Sequence, residues 1–176
     1  MMGRSRRRVA AFTVLVCAFL AVLAYADWPA GGPPDVLANH ILVLKSQRKL
    51  TLFQNSRALK TYEICLGRNP VGPKERAGDH RTPEGDYIID WRNPKSRFHL
   101  SLHSSYPNSK DSQNAHKLNV DPGGDIMIHG IQNGLGWIGR LHRWVDWTDG
   151  CIAVTDSEMD QIWHTVPDGT PIEIRP

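Results

Sequence analysis

The chain has 176 residues, enough for one domain with an adequate core, so its fold does not depend on disulfides. Its formal charge of +3 includes Arg4, Arg6, Arg7 and Arg8 near the N-terminus, and without those four it is −1. The electrostatic basis for nucleic-acid binding is then gone, and no nucleic-acid partner is expected.

The four arginines lead into an almost wholly apolar run, Val9 to Leu23, and then the small-x-small site Ala24-Tyr25-Ala26. Together these read as a secretory signal peptide over residues 1–26, cut before Asp27. An uncleaved membrane anchor is the alternative, since the run is near the lower length limit for a span. Val16 precedes Cys17 where a lipoprotein signal would have a small residue. The expected location is periplasmic or cell-wall associated. Residues 27–35 (DWPAGGPPD) read as a linker, and residues 36–176 as the domain.

Short strands are expected at His40 to Leu44, Leu50 to Phe53 and Leu59 to Leu66, divided by polar turns. In the third, Tyr62, Ile64 and Leu66 share one face, and Cys65 shares the other with Thr61 and Glu63, as a half-buried structural cysteine would. Gly67 to Gly85 is a loop and Asp86 to Trp91 a strand. Phe98 to His103 alternates, with His99, Ser101 and His103 on a face too polar for a core, so either solvated or the wall of a polar cleft. Ser104 to Gly124 reads as loop, and Ile126 to His129 as strand. Ile131 to Trp147 carries three tryptophans and glycines at 134, 136 and 139, which argue against a regular helix and suggest a binding loop or a packed one.

A strand starting at Cys151 precedes the one clear helix. Thr155 to Glu158 fits a capping box, Met159, Ile162, Trp163 and Val166 recur at helical spacing, and Pro167-Asp168-Gly169 ends it. A last strand covers Thr170 to Arg175. The fold class is mostly β with one packed helix.

Cys151 follows Gly150 and opens one apolar run; His129 ends another and precedes Gly130. Side by side, the two strands would bring a thiol and an imidazole to one sheet rim, enough for nucleophilic acyl transfer. His129 would take the thiol proton, and the Gly150 and Cys151 amides would face the oxyanion. Cys65 and Cys151 could instead form a disulfide, but a thiol near a histidine favours a free Cys151. A metal site is the main rival. His99 and His103 would lie about 13 Å apart along a strand, too far for one zinc, so no metal or cofactor is expected. A cell-wall-binding module with the tryptophans as its platform is the non-enzymatic alternative.

Ile128-His129-Gly130 with Thr148-Asp149-Gly150-Cys151-Ile152 resembles the signature of the L,D-transpeptidase catalytic domain (YkuD-like). Gly78 to Tyr87 resembles its "G-D-x-x-T-P-x-G-x-Y" segment, and Tyr106-Pro107-Asn108 its "Y-P-N" segment. The resemblance implies an L,D-transpeptidase-like β-sandwich or barrel, with catalytic Cys151, His129 and Gly150, and with Tyr106, His103, Gly130 and Thr148 lining the substrate. It implies that the thiol takes the acyl group of a peptidoglycan tetrapeptide stem, with loss of the terminal D-alanine. The acceptor would be another stem, a lipoprotein lysine or water, the last making an L,D-carboxypeptidase or a lipoprotein-releasing amidase. A monomer is expected. In two places the sequence departs from the pattern: Ala153 stands where the family usually has arginine or asparagine, and Asp149 where it often has histidine. Arg140 or Arg143 could replace the lost side chain, and Asp149 is expected to point outward, since a carboxylate near the sulfur disfavours thiolate.

Overall fold

The computed structural model describes residues 2–26 and 31–176. The expected cleavage point before Asp27, and Asp27 to Ala30 of the linker, lie outside these. The first helix is α1 (Met2–Ala26), whose end packs against Gly139: an ideal Cβ there would meet the Ala26 carbonyl oxygen at 2.0 Å.

Eight strands follow: β1 (His40–Leu44), β2 (Lys49–Gln54), β3 (Arg57–Glu63), β4 (Gly85–Asn93), β5 (Ser101–Ser104), β6 (Met127–His129), β7 (Ile152–Ala153) and β8 (Pro171–Arg175). They form one sheet in the order β3-β2-β1-β8-β4-β5-β6-β7. The β1–β8 and β6–β7 pairs are parallel and the others antiparallel. The sheet curls back on itself, because bridges Cys65↔Ala153 and Gly67↔Thr148 tie the chain beyond β3 to the β7 edge. Alternate strand residues such as Ile41, Val43, Leu50, Leu52, Ile128, Ile172 and Ile174 fill the interior with Met159 and Ile162.

Two expectations are corrected here. β3 stops at Glu63, and Cys65 is fully buried rather than beside solvated neighbours, because the chain leaves the hairpin there to pair with Ala153. The segment expected as loop from Ser104 to Gly124 contains a helix, α2 (Ser109–Lys117). It buries Ala115 alone, so no apolar period marks it; an Asn108–Asp111 capping box starts it.

The helix expected after the cysteine is α3 (Asp156–Thr165), with Thr155 and Glu158 forming the capping box. Glycine interrupts the tryptophan loop as expected: Gly136–Trp144 is two 3-10 turns broken at Gly139 (φ 50°, ψ −133°). The 64–84 segment is held by buried charge. Lys45 is 2% exposed, and its ammonium donates to Gly72 O, Thr82 O and Glu84 Oε1 at 2.6, 2.8 and 2.8 Å. All three partners lie on that segment, so it is fixed against the sheet end.

Candidate active site

Strand register sets the site. On β4, β5 and β6 the pairs Trp91↔His103 and His103↔Met127 form one rung, and Asn93↔Ser101 and Ser101↔His129 the next. In the parallel β6–β7 pair His129 faces Ala153, so continuing that register by two residues sets Met127 beside Cys151. Residues two apart on a strand share a face. His103, His129 and Cys151 therefore lie on one face, opposite the core-facing Ile128 and Ile152.

Cys151 is free and partly exposed, at the junction between a turn and β7. Its Sγ–H is donated to Asp125 O (3.4 Å), and the Met127 N–H points at the sulfur. Burial, Asp149 and Asp125 push its pKa up, against the pull of the Met127 amide and Lys74. The group is thus a thiol at rest. Thr148 fixes the turn: its hydroxyl donates to Cys151 O (2.7 Å) and accepts from Gly150 N–H (3.2 Å). The Gly150 amide, expected to face an oxyanion, is therefore engaged by the Thr148 hydroxyl. Gly150 has φ 127°, and an ideal Cβ there would meet Arg81 O at 2.6 Å, so the residue type is fixed by crowding as well as conformation.

His129 is buried, with Phe98 (4.6 Å between centroids) on one side and Trp147 (5.6 Å, edge-on) on another. Its Nδ1 lies 2.6 Å from Gly130 O. A carbonyl only accepts, so Nδ1 carries the proton and Nε2 is left as the basic atom. Burial holds the ring at a pKa of about 4, far below the ordinary imidazole value, with Gly130 O opposing. Gly130 has no room for a side chain: Asp156 Oδ1, His99 Cβ and Phe98 O would all crowd it, and Asp156 Oδ1 accepts from Ile131 N–H (2.7 Å). The thiol and ring sit two residues apart on adjacent strands, roughly 8 Å between Cα atoms by strand geometry. At rest the thiol bonds Asp125 O rather than the imidazole.

The other expected residues divide. His103 is on the site face, with Nδ1 2.6 Å from Asp90 Oδ1 and its ring stacked on Trp91 at 4.8 Å. His99 is not its partner: the chain enters β5 only at Ser101, and His99, at φ 65°, bonds Asp160 (2.7 Å). Tyr106, expected to line the substrate, is a core residue instead. It is 3% exposed, donates its hydroxyl to Pro122 O (2.8 Å) and packs edge-on against Tyr87.

The departures also resolve. Asp149 points outward, 72% exposed, paired with Arg68 and with His80 at 2.9 Å; Arg68 holds its carboxyl below the usual range. Arg143 cannot stand in for the family's arginine, since Glu63 and Glu158 both hold it and its side chain is buried. Ala153 is fully buried between His129 and Cys65. The buried Cys65 thiol donates to His142 O (3.2 Å), and burial raises its pKa to about 12, so it is inert.

Phe98, Trp147, Asp125 and Asp156 complete the surroundings of the thiol and imidazole and were not singled out from sequence. Trp147 belongs to the aromatic loop already noted. Asp125, at φ 54°, carries no sequence mark.

Fold and site define a β-rich domain with a thiol and an imidazole on one sheet face. Residues 38–174 match the L,D-transpeptidase catalytic domain family (YkuD), and the chain belongs to that family. It is 29% identical over 134 residues to the putative L,D-transpeptidase YafK of Escherichia coli K12, covering 72% of this chain and 46% of that protein. The chain thus spans under half the length of that relative. Among solved structures it is similar to the helical cell shape determining protein Pgp2 of Campylobacter jejuni (TM-score 0.61, 22% identity, 87% of this chain and 53% of that one). It is also similar to an L,D-transpeptidase from Mycobacterium smegmatis (TM-score 0.51, 13% identity, 79% and 59%). The last two likenesses are of fold.

Proposed function

We propose that this chain is an exported cysteine acyltransferase that uses Cys151 as nucleophile and His129 as base on peptidoglycan tetrapeptide stems. The observation that carries the reading is the tautomer of His129. Gly130 O fixes the proton on Nδ1, so Nε2 is the basic atom, on the same sheet face as the only partly exposed thiol of the domain. Proton transfer to Nε2 generates thiolate, which attacks the donor carbonyl. The oxyanion is met by the Cys151 amide, the leaving amine takes the proton from His129, and a thioester remains.

Lys74, which acts on the sulfur electrostatically, also lines a cleft of about 490 Å³ with Glu84, Lys110 and Asn114. An extended, charged donor matches the mixed charges of this cleft. The arginine-led apolar helix α1 supports export, with the domain outside the inner membrane as a monomer. An acceptor on another stem or on a lipoprotein yields transfer, and water yields carboxypeptidase or amidase activity.

Incubation of the purified protein with disaccharide-tetrapeptide tests the reading by mass spectrometry. An adduct on Cys151 with release of D-alanine is expected. Cross-linked dimer then reports transfer and tripeptide reports hydrolysis, whereas stem binding with no adduct or product would make the domain a cell-wall-binding module.

A further inference from the structure

A second imidazole occupies the site face, and the family reading gives it no part in the chemistry beyond lining the substrate. His103 stands on the rung Trp91–His103–Met127, which ends beside Cys151, so two strand spacings, roughly 10 Å, separate it from the sulfur. Its side chain is 11% exposed. Asp90 holds one side of the ring: Nδ1 lies 2.6 Å from Oδ1, so Nδ1–H donates and Nε2 is turned the other way. Nε2 faces toward Asp125, 4.0 Å from its Oδ1, too long for a hydrogen bond. That same Asp125 gives its backbone carbonyl to the Cys151 thiol. His103 is therefore held from behind and turns Nε2 toward the space beside the sulfur.

The surroundings of that space select a cation. Asp90 and Asp125 are 40% and 88% exposed, and among the described residues neither has an arginine or lysine partner. Trp91, itself 41% exposed, stacks on the histidine ring and backs it on that side. A carboxylate ligand would meet two like charges here; an alkylammonium would meet two opposite ones.

We infer that His103, oriented by Asp90 and flanked by Asp125, forms the binding site of a primary-amine acyl acceptor and is the base that deprotonates it. This rests on the proposed thioester on Cys151. The acceptor enters as R–NH3+, and one proton passes to His103 Nε2 and then to solvent. The free amine attacks the thioester carbonyl, forming C–N. As the tetrahedral adduct collapses, C–S breaks, and the second nitrogen proton passes through His129 to the departing sulfur. Amide and Cys151 thiol result. Water has no use for an ammonium site, so the two carboxylates favour transfer over hydrolysis.

The test separates the half-reactions in the full chain. The acyl-enzyme is formed with disaccharide-tetrapeptide, and its decay is followed by intact mass against Nα-acetyl-lysine amide, with the norleucine analogue as the uncharged control. In the wild type the lysine probe, and not the control, should speed decay and appear in the product. H103Q should slow this aminolysis about a hundredfold more than it slows adduct formation. The loss should shrink as pH approaches the probe's own pKa of about 10.4, where free amine no longer needs a base; a merely structural role would show no such recovery. D125N removes a carboxylate whose side chain is 88% exposed, and should raise the half-saturating probe concentration about fivefold.

Equal loss of adduct formation and aminolysis in H103Q, or an acyl-enzyme indifferent to the lysine probe, would overturn the inference and leave the cysteine chemistry standing. Absence of any adduct on the wild type would instead remove the proposed function beneath it.

Discussion

Cys151 and His129 both rest uncharged, each for a reason of burial: the thiol pKa is raised and the imidazole pKa is lowered to about 4. Cys151→Ala should abolish the adduct outright. His129→Gln should lower its formation about a thousandfold, since a neutral thiol needs a positioned base. The depressed imidazole gives a sharper expectation. An ordinary histidine would cost activity as pH fell through about 6.5. His129 stays unprotonated to about 4, so adduct formation should hold between pH 7 and 5.5, with its acid limb near 4. Trp147→Ala opens one wall to water and should move that limb up, because desolvation is the largest cause of the shift. A wild-type limb near 6.5, read from adduct formation across pH, would contradict this account. The placement of the two residues on neighbouring strands was legible in the sequence, because each sits beside a glycine at the end of an apolar run. The Gly150 amide was misread because its partner, the Thr148 hydroxyl, is set by turn geometry that spacing does not express.

At the scale of elements, the turn before β7 is the most constrained piece of the site. Thr148 Oγ1 joins both ends of it, to Gly150 N–H and Cys151 O. Thr148→Val keeps the shape and removes both bonds, leaving a buried donor and acceptor unmatched. It should cost about 2–4 kcal/mol, with Thr148→Ser restoring most of it. Gly150→Ala adds a methyl where Arg81 O stands, at φ 127°, and should lower the urea midpoint further than Thr148→Val does. Unfolding midpoints that leave either variant at wild-type stability would show the turn to be looser than drawn. Elements with a periodic apolar face were readable, among them β1, β2 and α3. The start of β5 was not, because Phe98 to Leu100 continues the alternation while His99 turns to φ 65° and bonds Asp160. Nor was α2, whose polar sequence hides a helix set by the Asn108 cap.

Over the whole molecule, composition and alternation declared a mostly β domain, but not the order of its strands. The parallel β1–β8 and β6–β7 pairs join segments far apart in sequence, and alternation within a strand carries no record of its neighbour. One global property does follow from single residues. His142 is buried like His129; desolvation, then Arg143, lowers its pKa to about 4, and its Nδ1 lies 3.3 Å from Trp147 Nε1 and accepts its proton. In the unfolded chain both rings would titrate near 6.5. Between that value and about 4 the unfolded state binds up to two more protons than the folded one, so stability falls as pH falls. The loss begins near pH 6.5, is complete near 4, and has a ceiling of roughly 3 kcal/mol per ring. Asp79 lies outside this window. Burial would raise its pKa, but Lys74 and the Glu75, Arg81 and Arg76 amides hold it at about 2, so its own contribution is lost only below about 4. Urea unfolding at pH 7.0, 5.5 and 4.5 should show a steady decline, and His142→Gln, with one fewer titrating ring, should roughly halve the slope. A wild-type stability that is flat from pH 6.5 to 4.5 would mean that neither ring is kept neutral by the fold.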